Sequence, residues 1–354
     1  MKCRAICILG MHRSGTSAIT RSVNFLGAFL GEEDDICTYG PDNPTGFWES
    51  LELRLFNERL LYHLKTSWDT SLPLDEGWHL REDLQPFRNE LIDLIKKKFS
   101  DRNLWAWKDP RTSLLFPLWK DVLKELDIEL LCVYAIRNPL DVARSLKKRN
   151  GFSCDKGFCL WLNYNISMLM AILTVPTVFV SYDRLLNNWE SELRRCAETL
   201  KISWPKDDAS LREKMNYFIR PDLRHSASMV TDLKKMDAPG PIVELYEFLL
   251  NLSEDAKMSD LQFLTTADRL SKEFNKYARF VRHDPGKKQK LKRRLIKVLS
   301  LLTWRVGSLP GKLWGIDFLT HRLFQRTAPS CLVTAFPDYL IVNCNHWPVP
   351  TDLK

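Results

Sequence analysis

The sequence predicts an α/β fold, a mainly parallel sheet flanked by helices, followed by a helical basic C-terminal extension. Three observations predict it. Short apolar runs of strand length alternate with longer segments of helical periodicity, the pattern of a parallel sheet with helices on both faces. The first of these runs ends in a short polar loop and then a helix, and a later one ends in the charged cluster Lys108-Asp109-Pro110-Arg111. Open sheets of this kind place their ligands at such strand ends.

The first element is the apolar run beginning at Arg4 and ending at Gly10, and helical spacing from Ser14 puts Ile19, Val23 and Leu26 on one face. Between them lies Gly10-Met11-His12-Arg13-Ser14-Gly15-Thr16-Ser17. Glycines at 10 and 15 let backbone approach an anion, the free N–H groups of a helix N-terminus point at it, and Ser14, Thr16 and Ser17 add hydroxyls. The spacing is that of a P-loop, so the expected fold is P-loop nucleotide-hydrolase-like. However, Thr16 stands where a triphosphate-binding loop has its Lys, and Arg13 is the cation within the loop. A nucleotide anion other than ATP or GTP is the expected ligand.

Residues 31–50 read as a polar insertion, with Glu49 where helical periodicity resumes through Leu53, Phe56, Leu60 and Leu64. A helix is expected over 84–99 and a strand over 103–107, closed by Pro110. A helix over 117–126 and a strand over 128–136 follow. Arg137-Asn138-Pro139 then turns into a helix with Pro at its first position. Helix 158–173, strand 178–181 and helix 185–200 complete the pattern. From Met215 the signal weakens, 233–277 reads as helical, and 287–302 as a basic amphipathic segment. The domains expected are 1–230, a helical extension 231–280 packing on it, and a basic tail 281–354.

The loop resembles the 5′-phosphosulfate loop of sulfotransferases that use 3′-phosphoadenosine 5′-phosphosulfate, in the form common among bacterial carbohydrate-type members. Arg137 and Ser145, eight residues apart after a strand, match the pair that binds the nucleotide's 3′-phosphate in that family. Trp107-Lys108-Asp109-Pro110-Arg111 resembles the Lys-Asp-Pro segment of protein-tyrosine sulfotransferases, and 216–225 loosely resembles a segment that closes the nucleotide site. The resemblance implies a donor site made of Gly10, His12, Arg13, Ser14, Gly15, Thr16, Ser17, Arg137 and Ser145. It implies Arg13 and Lys108 as cations for the leaving oxygen and Glu49 as the base. Glu49 also fits the plainer part of a helix-start carboxylate, and His12, His63, His79 and His225 are further candidates for the base. Asp109 is expected to orient Lys108 or Arg111. No metal is expected.

The formal net charge is +8, but residues 282–326 hold twelve Lys or Arg against Asp284 and Asp317, a net of +10, which leaves −2 elsewhere. The basic tail lacks interleaved aromatics, so nucleic acid is not an expected partner. Contact with an anionic membrane through 287–302 and a solvated face are both consistent with that segment. The nine Cys lack paired C-x-x-C spacing, and neither a disulfide framework nor a zinc site is indicated. With no signal peptide read at the N-terminus, a cytoplasmic protein is expected, at the inner membrane face if the tail binds lipid. The function expected is sulfuryl transfer to a hydroxyl of a carbohydrate or lipid-linked glycan. A P-loop small-metabolite kinase or a non-catalytic nucleotide-binding adaptor at the membrane are the alternatives.

Overall fold

The computed structural model describes residues 2–37, 43, 45–219, 228–254, 260–280, 332–335 and 340–343. In chain order the elements are β1 (Arg4–Leu9), α1 (Thr16–Phe25), β2 (Ile36–Cys37), β3 (Glu49–Ser50), α2 (Leu51–His63), α3 (Gln85–Phe99), β4 (Leu104–Trp107) and α4 (Thr112–Glu125). There follow β5 (Glu129–Ile136), α5 (Pro139–Asn150), α6 (Cys154–Ile172), β6 (Thr177–Ser181), α7 (Tyr182–Asn187), α8 (Trp189–Thr199) and α9 (Asp208–Phe218). The last are α10 (Val230–Lys235), α11 (Gly240–Ser253), α12 (Asp260–Phe280), β7 (Leu332–Ala335) and β8 (Leu340–Asn343).

The main sheet has four parallel strands in the order β4-β1-β5-β6. Its strands carry alternating side chains into two cores. Ala5, Cys7 and Leu9 join Trp105, Trp107, Cys132 and Tyr134 on one face, covered by α2 to α6, α11 and α12. Ile6 and Ile8 join Ala106, Val133 and Val180 on the other, covered by α1, α8 and α9. Both faces are thus buried, as a parallel sheet requires. The strand order reverses between β1 and β5, so the turns that follow them diverge and leave a crevice at their C-terminal ends.

Several boundaries differ from those expected, each for a local reason. Helix α4 begins at Thr112 with Pro117 inside it. The only helical hydrogen bond forfeited is to the Ser113 carbonyl, and burial of Leu114, Leu115, Phe116 and Trp119 outweighs that loss. Helix α6 starts four residues early because Ser153 caps it, accepting from the Lys156 N–H. The stretch 185–200 is two helices: Asn188, with φ −151°, breaks the chain and its side chain caps α8. Pro239-Gly240-Pro241 divides 233–277, where α10, α11 and α12 stand in place of one continuous helix. Helix α9, capped by Asp207, was not anticipated, and neither was the antiparallel β7–β8 hairpin.

The chain divides into two compact units, Met1–His283 and Asp284–Lys354. The basic segment 287–302 lies outside the described residues, as do 220–225 of the loosely matched segment and 38–42 and 44 of the polar insertion. Among the described residues no helix is long and apolar enough to cross a membrane.

Candidate active site

The anion loop occupies the turn between β1 and α1. Arg13 and Gly15 take positive φ, 70° and 84°, around Ser14, and alternation of this kind gathers successive N–H groups into a concave nest for an anion. Gly15 is the N-cap of α1, with no side-chain cap to occupy the helix's first N–H groups. A Cβ on Gly15 would lie 2.1 Å from the Tyr182 ring, and one on Gly10 would lie 3.0 Å from the Ala135 Cβ. Both glycines are therefore dictated by close approach as well as by φ. The Ser113 hydroxyl closes the back of the loop, accepting from the Gly10 N–H at 3.1 Å.

Arg137, at the end of β5, comes to the same place. Its Nη1 donates to the Arg13 carbonyl at 2.8 Å, its guanidinium lies 4.8 Å over the Tyr182 ring, and its Nε is buried without a partner. Buried N–H groups nearly always find an acceptor, so this one stands out beside the loop. Ser145, one face of α5 away, pairs with the loop's own cation: its Oγ accepts from Arg13 Nε at 2.8 Å. Thus Arg13, Arg137 and Ser145 form one connected group beside the loop. Tyr182, which neither charge nor motif singled out, is the surface on which Gly15 and Arg137 rest; its place directly after the fourth strand was the available signal.

Lys108 leaves the end of β4 and is buried, its side chain 1% exposed. Its Nζ donates to Glu49 Oε1 at 2.6 Å and to Ser17 Oγ at 3.3 Å. Ser17 also accepts from Asn43 Nδ2 at 3.3 Å, a contact not foreseen from sequence. Glu49 itself is not the start of a helix: it lies in β3, and Ser50 caps α2 by accepting from the Leu53 N–H. The polar insertion folds back so that β3 pairs with β2, with Glu49 opposite Cys37. A second ion pair holds that hairpin, Lys98 Nζ donating to Asp35 Oδ2 at 2.8 Å while Asp35 Oδ1 accepts from the Glu52 N–H at 3.1 Å. The folded hairpin is what carries Glu49 back to the loop.

Asp109 orients Arg111 and not Lys108, accepting from Arg111 Nη1 at 2.9 Å and from Asn57 Nδ2 at 2.9 Å. Burial works against the Arg111 charge, but Asp109, Glu58 and Glu49 outweigh it and raise its pKa. His12 packs against Trp68 and Tyr164, with ring centroids 4.8 and 5.8 Å away. Burial, then repulsion by Arg111, Arg149, Lys108 and Arg13, pushes its imidazole well below the usual value, so His12 enters the site uncharged at pH 7. The wall bearing Trp68 is pinned by α6. Tyr164 donates to the Trp68 carbonyl at 2.7 Å, Lys156 to that of Asp69 at 2.5 Å and Asn163 to that of Thr70 at 3.1 Å.

His63 and His79 lie apart from this group, paired with Asp83 and Asp121, and His225 is outside the described residues. Among the described residues no group of three or more His, Cys, Asp or Glu is placed to hold a metal ion.

No family model matches the chain, and no curated protein sequence matches it. Among solved structures it is similar to the sulfotransferase domain from the Synechococcus PCC 7002 olefin synthase, at 15% identity over 78% of this chain and 96% of that one, TM-score 0.39. It is also similar to the sulfotransferase domain from the curacin biosynthetic pathway, at 14% identity over 76% and 98% of the two chains, TM-score 0.37.

Proposed function

We propose that this protein transfers a sulfuryl group from 3′-phosphoadenosine 5′-phosphosulfate to a hydroxyl of a carbohydrate or lipid-linked glycan. The observation that carries the reading is the position of Lys108, bonded to Glu49 on one side and to Ser17 of the anion loop on the other. A buried cation shared by a carboxylate and a phosphate-type loop suits transfer of an anionic group to a protic acceptor. The bare Nε of Arg137 beside the Arg13–Ser145 pair supplies a second anionic subsite, which fits a nucleotide with phosphates at both ends. The loop's lack of a P-loop Lys argues against a triphosphate.

When bound, the donor offers a sulfur open to in-line attack and a bridging oxygen that gathers negative charge. The loop amides, Gly10 to Ser17, hold the phosphosulfate end, and Arg137 with Ser145 holds the 3′-phosphate. Lys108 and Arg13 stabilise the charge on the bridging oxygen, and fixed cations in a buried site are effective because they need no reorganisation. Glu49 receives the acceptor's proton as Lys108 turns from it to the donor. The reaction belongs to the cytoplasm, with 287–302 bringing the enzyme to an anionic membrane face; co-sedimentation with anionic liposomes, lost on deleting that segment, tests this.

Calorimetric titration with 3′-phosphoadenosine 5′-phosphate and, separately, magnesium-ATP decides the donor. Tight binding of the first alone is expected. Binding of neither, or of magnesium-ATP only, would end the sulfotransferase reading.

A further inference from the structure

The anion loop carries one ring whose charge state its surroundings oppose. His12 lies two residues after Gly10, and its Nε2 is buried without a hydrogen-bond partner. The cations that act on it come from three segments: Arg13 of its own loop, Lys108 and Arg111 from the β4–α4 turn, and Arg149 from the last turn of α5. The neighbouring carboxylates already have partners: Glu49 of β3 with Lys108 at 2.6 Å, Asp109 with Arg111 at 2.9 Å, and Asp69, beside Trp68, with the Ser67 hydroxyl at 2.5 Å. From α6, the Tyr164 hydroxyl faces the Trp68 carbonyl, to which it donates. The ring thus carries one buried, unpartnered nitrogen among the cations of its own loop, of the β4–α4 turn and of α5.

We propose that the anion loop takes up a proton at His12 when it binds its ligand, so that the site accepts an anion and a proton together. This rests on the anion-loop reading and not on the identity of the donor. The proton comes from solvent and adds to whichever ring nitrogen lacks one, so that both carry an N–H and no existing bond is broken. Without ligand, burial and the surrounding cations keep the imidazole neutral, well below its usual titration range. A seated dianion or polyanion reverses the field that opposes the charge. By linkage, whatever the anion does to the proton's affinity the proton does to the anion's. Anion affinity therefore rises as pH falls, by up to about tenfold per unit between the free and bound titration points of His12, and is flat outside that window.

The test is a proton NMR titration of the histidine rings of the full chain, with sodium chloride replaced by sodium sulfate at constant ionic strength. Sulfate is suitable because it does not itself titrate over the range used. The His12 signal is assigned by its ring contacts to Trp68 and Tyr164 and by its loss in His12→Gln. Its midpoint should rise by one unit or more in sulfate, with His63 unmoved. Repeating the titration with 3′-phosphoadenosine 5′-phosphate provides a second anion. A His12 midpoint that moves with neither anion overturns the proposal. If sulfate shifts it while the nucleotide fails to bind, the proton coupling stands and the donor assignment fails; if the nucleotide binds without a shift, the reverse holds.

Discussion

The two halves of the site are held together by different means. On the proposed donor side, the loop after β1 presents backbone N–H groups from a nest and a helix end, and its shape is fixed by two glycines and the contact of Gly15 with Tyr182. On the proposed acceptor side, Glu49 and Lys108, 59 residues apart, meet as a buried ion pair, and the hairpin that delivers Glu49 is itself tied down by Lys98 and Asp35. The first half depends on backbone conformation, and its two glycines admit no side chain without strain. The second depends on charge pairing and tolerates the loss of neither partner.

Breaking the pairing should produce the largest effect. Lys108→Ala leaves Glu49 buried without its cation, at a cost of about 3 to 5 kcal/mol; denaturant unfolding should register that loss, and turnover should disappear. Lys108→Met with Glu49→Gln should recover most of the stability without activity, while the nucleotide bisphosphate still binds. If the double variant stays as unstable as the single one, the acceptor half is not held by charge pairing. Gly15→Ala tests the other half. A positive φ and a clash with Tyr182 together should cost roughly 2 to 3 kcal/mol and abolish nucleotide binding. Replacing Tyr182 by Ala in the same chain should restore part of the stability.

Arg137→Ala should weaken nucleotide binding by about 1.5 to 3 kcal/mol in calorimetry, the scale of a charge-assisted hydrogen bond, and leave thermal stability nearly intact. Equal affinity in the variant would remove Arg137 from the donor site. The smallest effect concerns acid stability. His12 titrates lower when folded than when unfolded, so below about pH 6.5 the unfolded chain binds the proton first. Its contribution is complete above that pH and is lost as pH falls toward the folded value. The melting temperature should therefore decline between pH 7.5 and 5.5, less steeply in His12→Gln.

The backbone of the proposed donor half was largely legible in the sequence. Gly10, Gly15, Arg137 and Ser145 are placed by local spacing after apolar strands, and parallel strands bring such turns to one edge. What spacing could not supply was the partner of each group, since Ser145 faces Arg13 and Asp109 faces Arg111 through contacts that span other elements or a tight turn. The acceptor half was less legible. Glu49 reads as a helix start because Leu53, Phe56 and Leu60 follow at helical spacing, yet the hairpin pairing Cys37 with Glu49 depends on a side chain 49 residues beyond Glu49, at Lys98. Trp68 and Tyr182 carry no periodicity of their own. Apolar pattern also overran the breaks at Asn188 and Pro239, since it records which face is buried and not where a helix stops.

The order β4-β1-β5-β6 has a consequence for synthesis. β1 is made first and lies between two strands that arrive much later, with Arg4 paired to Leu104 on one side and to Glu129 on the other. At roughly 5 to 20 residues per second, the nascent chain spends on the order of ten seconds with both edges of an apolar strand unpaired. Pairing of β1 is therefore a late, non-local event, and slow folding with a need for protection on the ribosome is the expected behaviour. The loop between β1 and α1 cannot take its shape until that strand has found its neighbours.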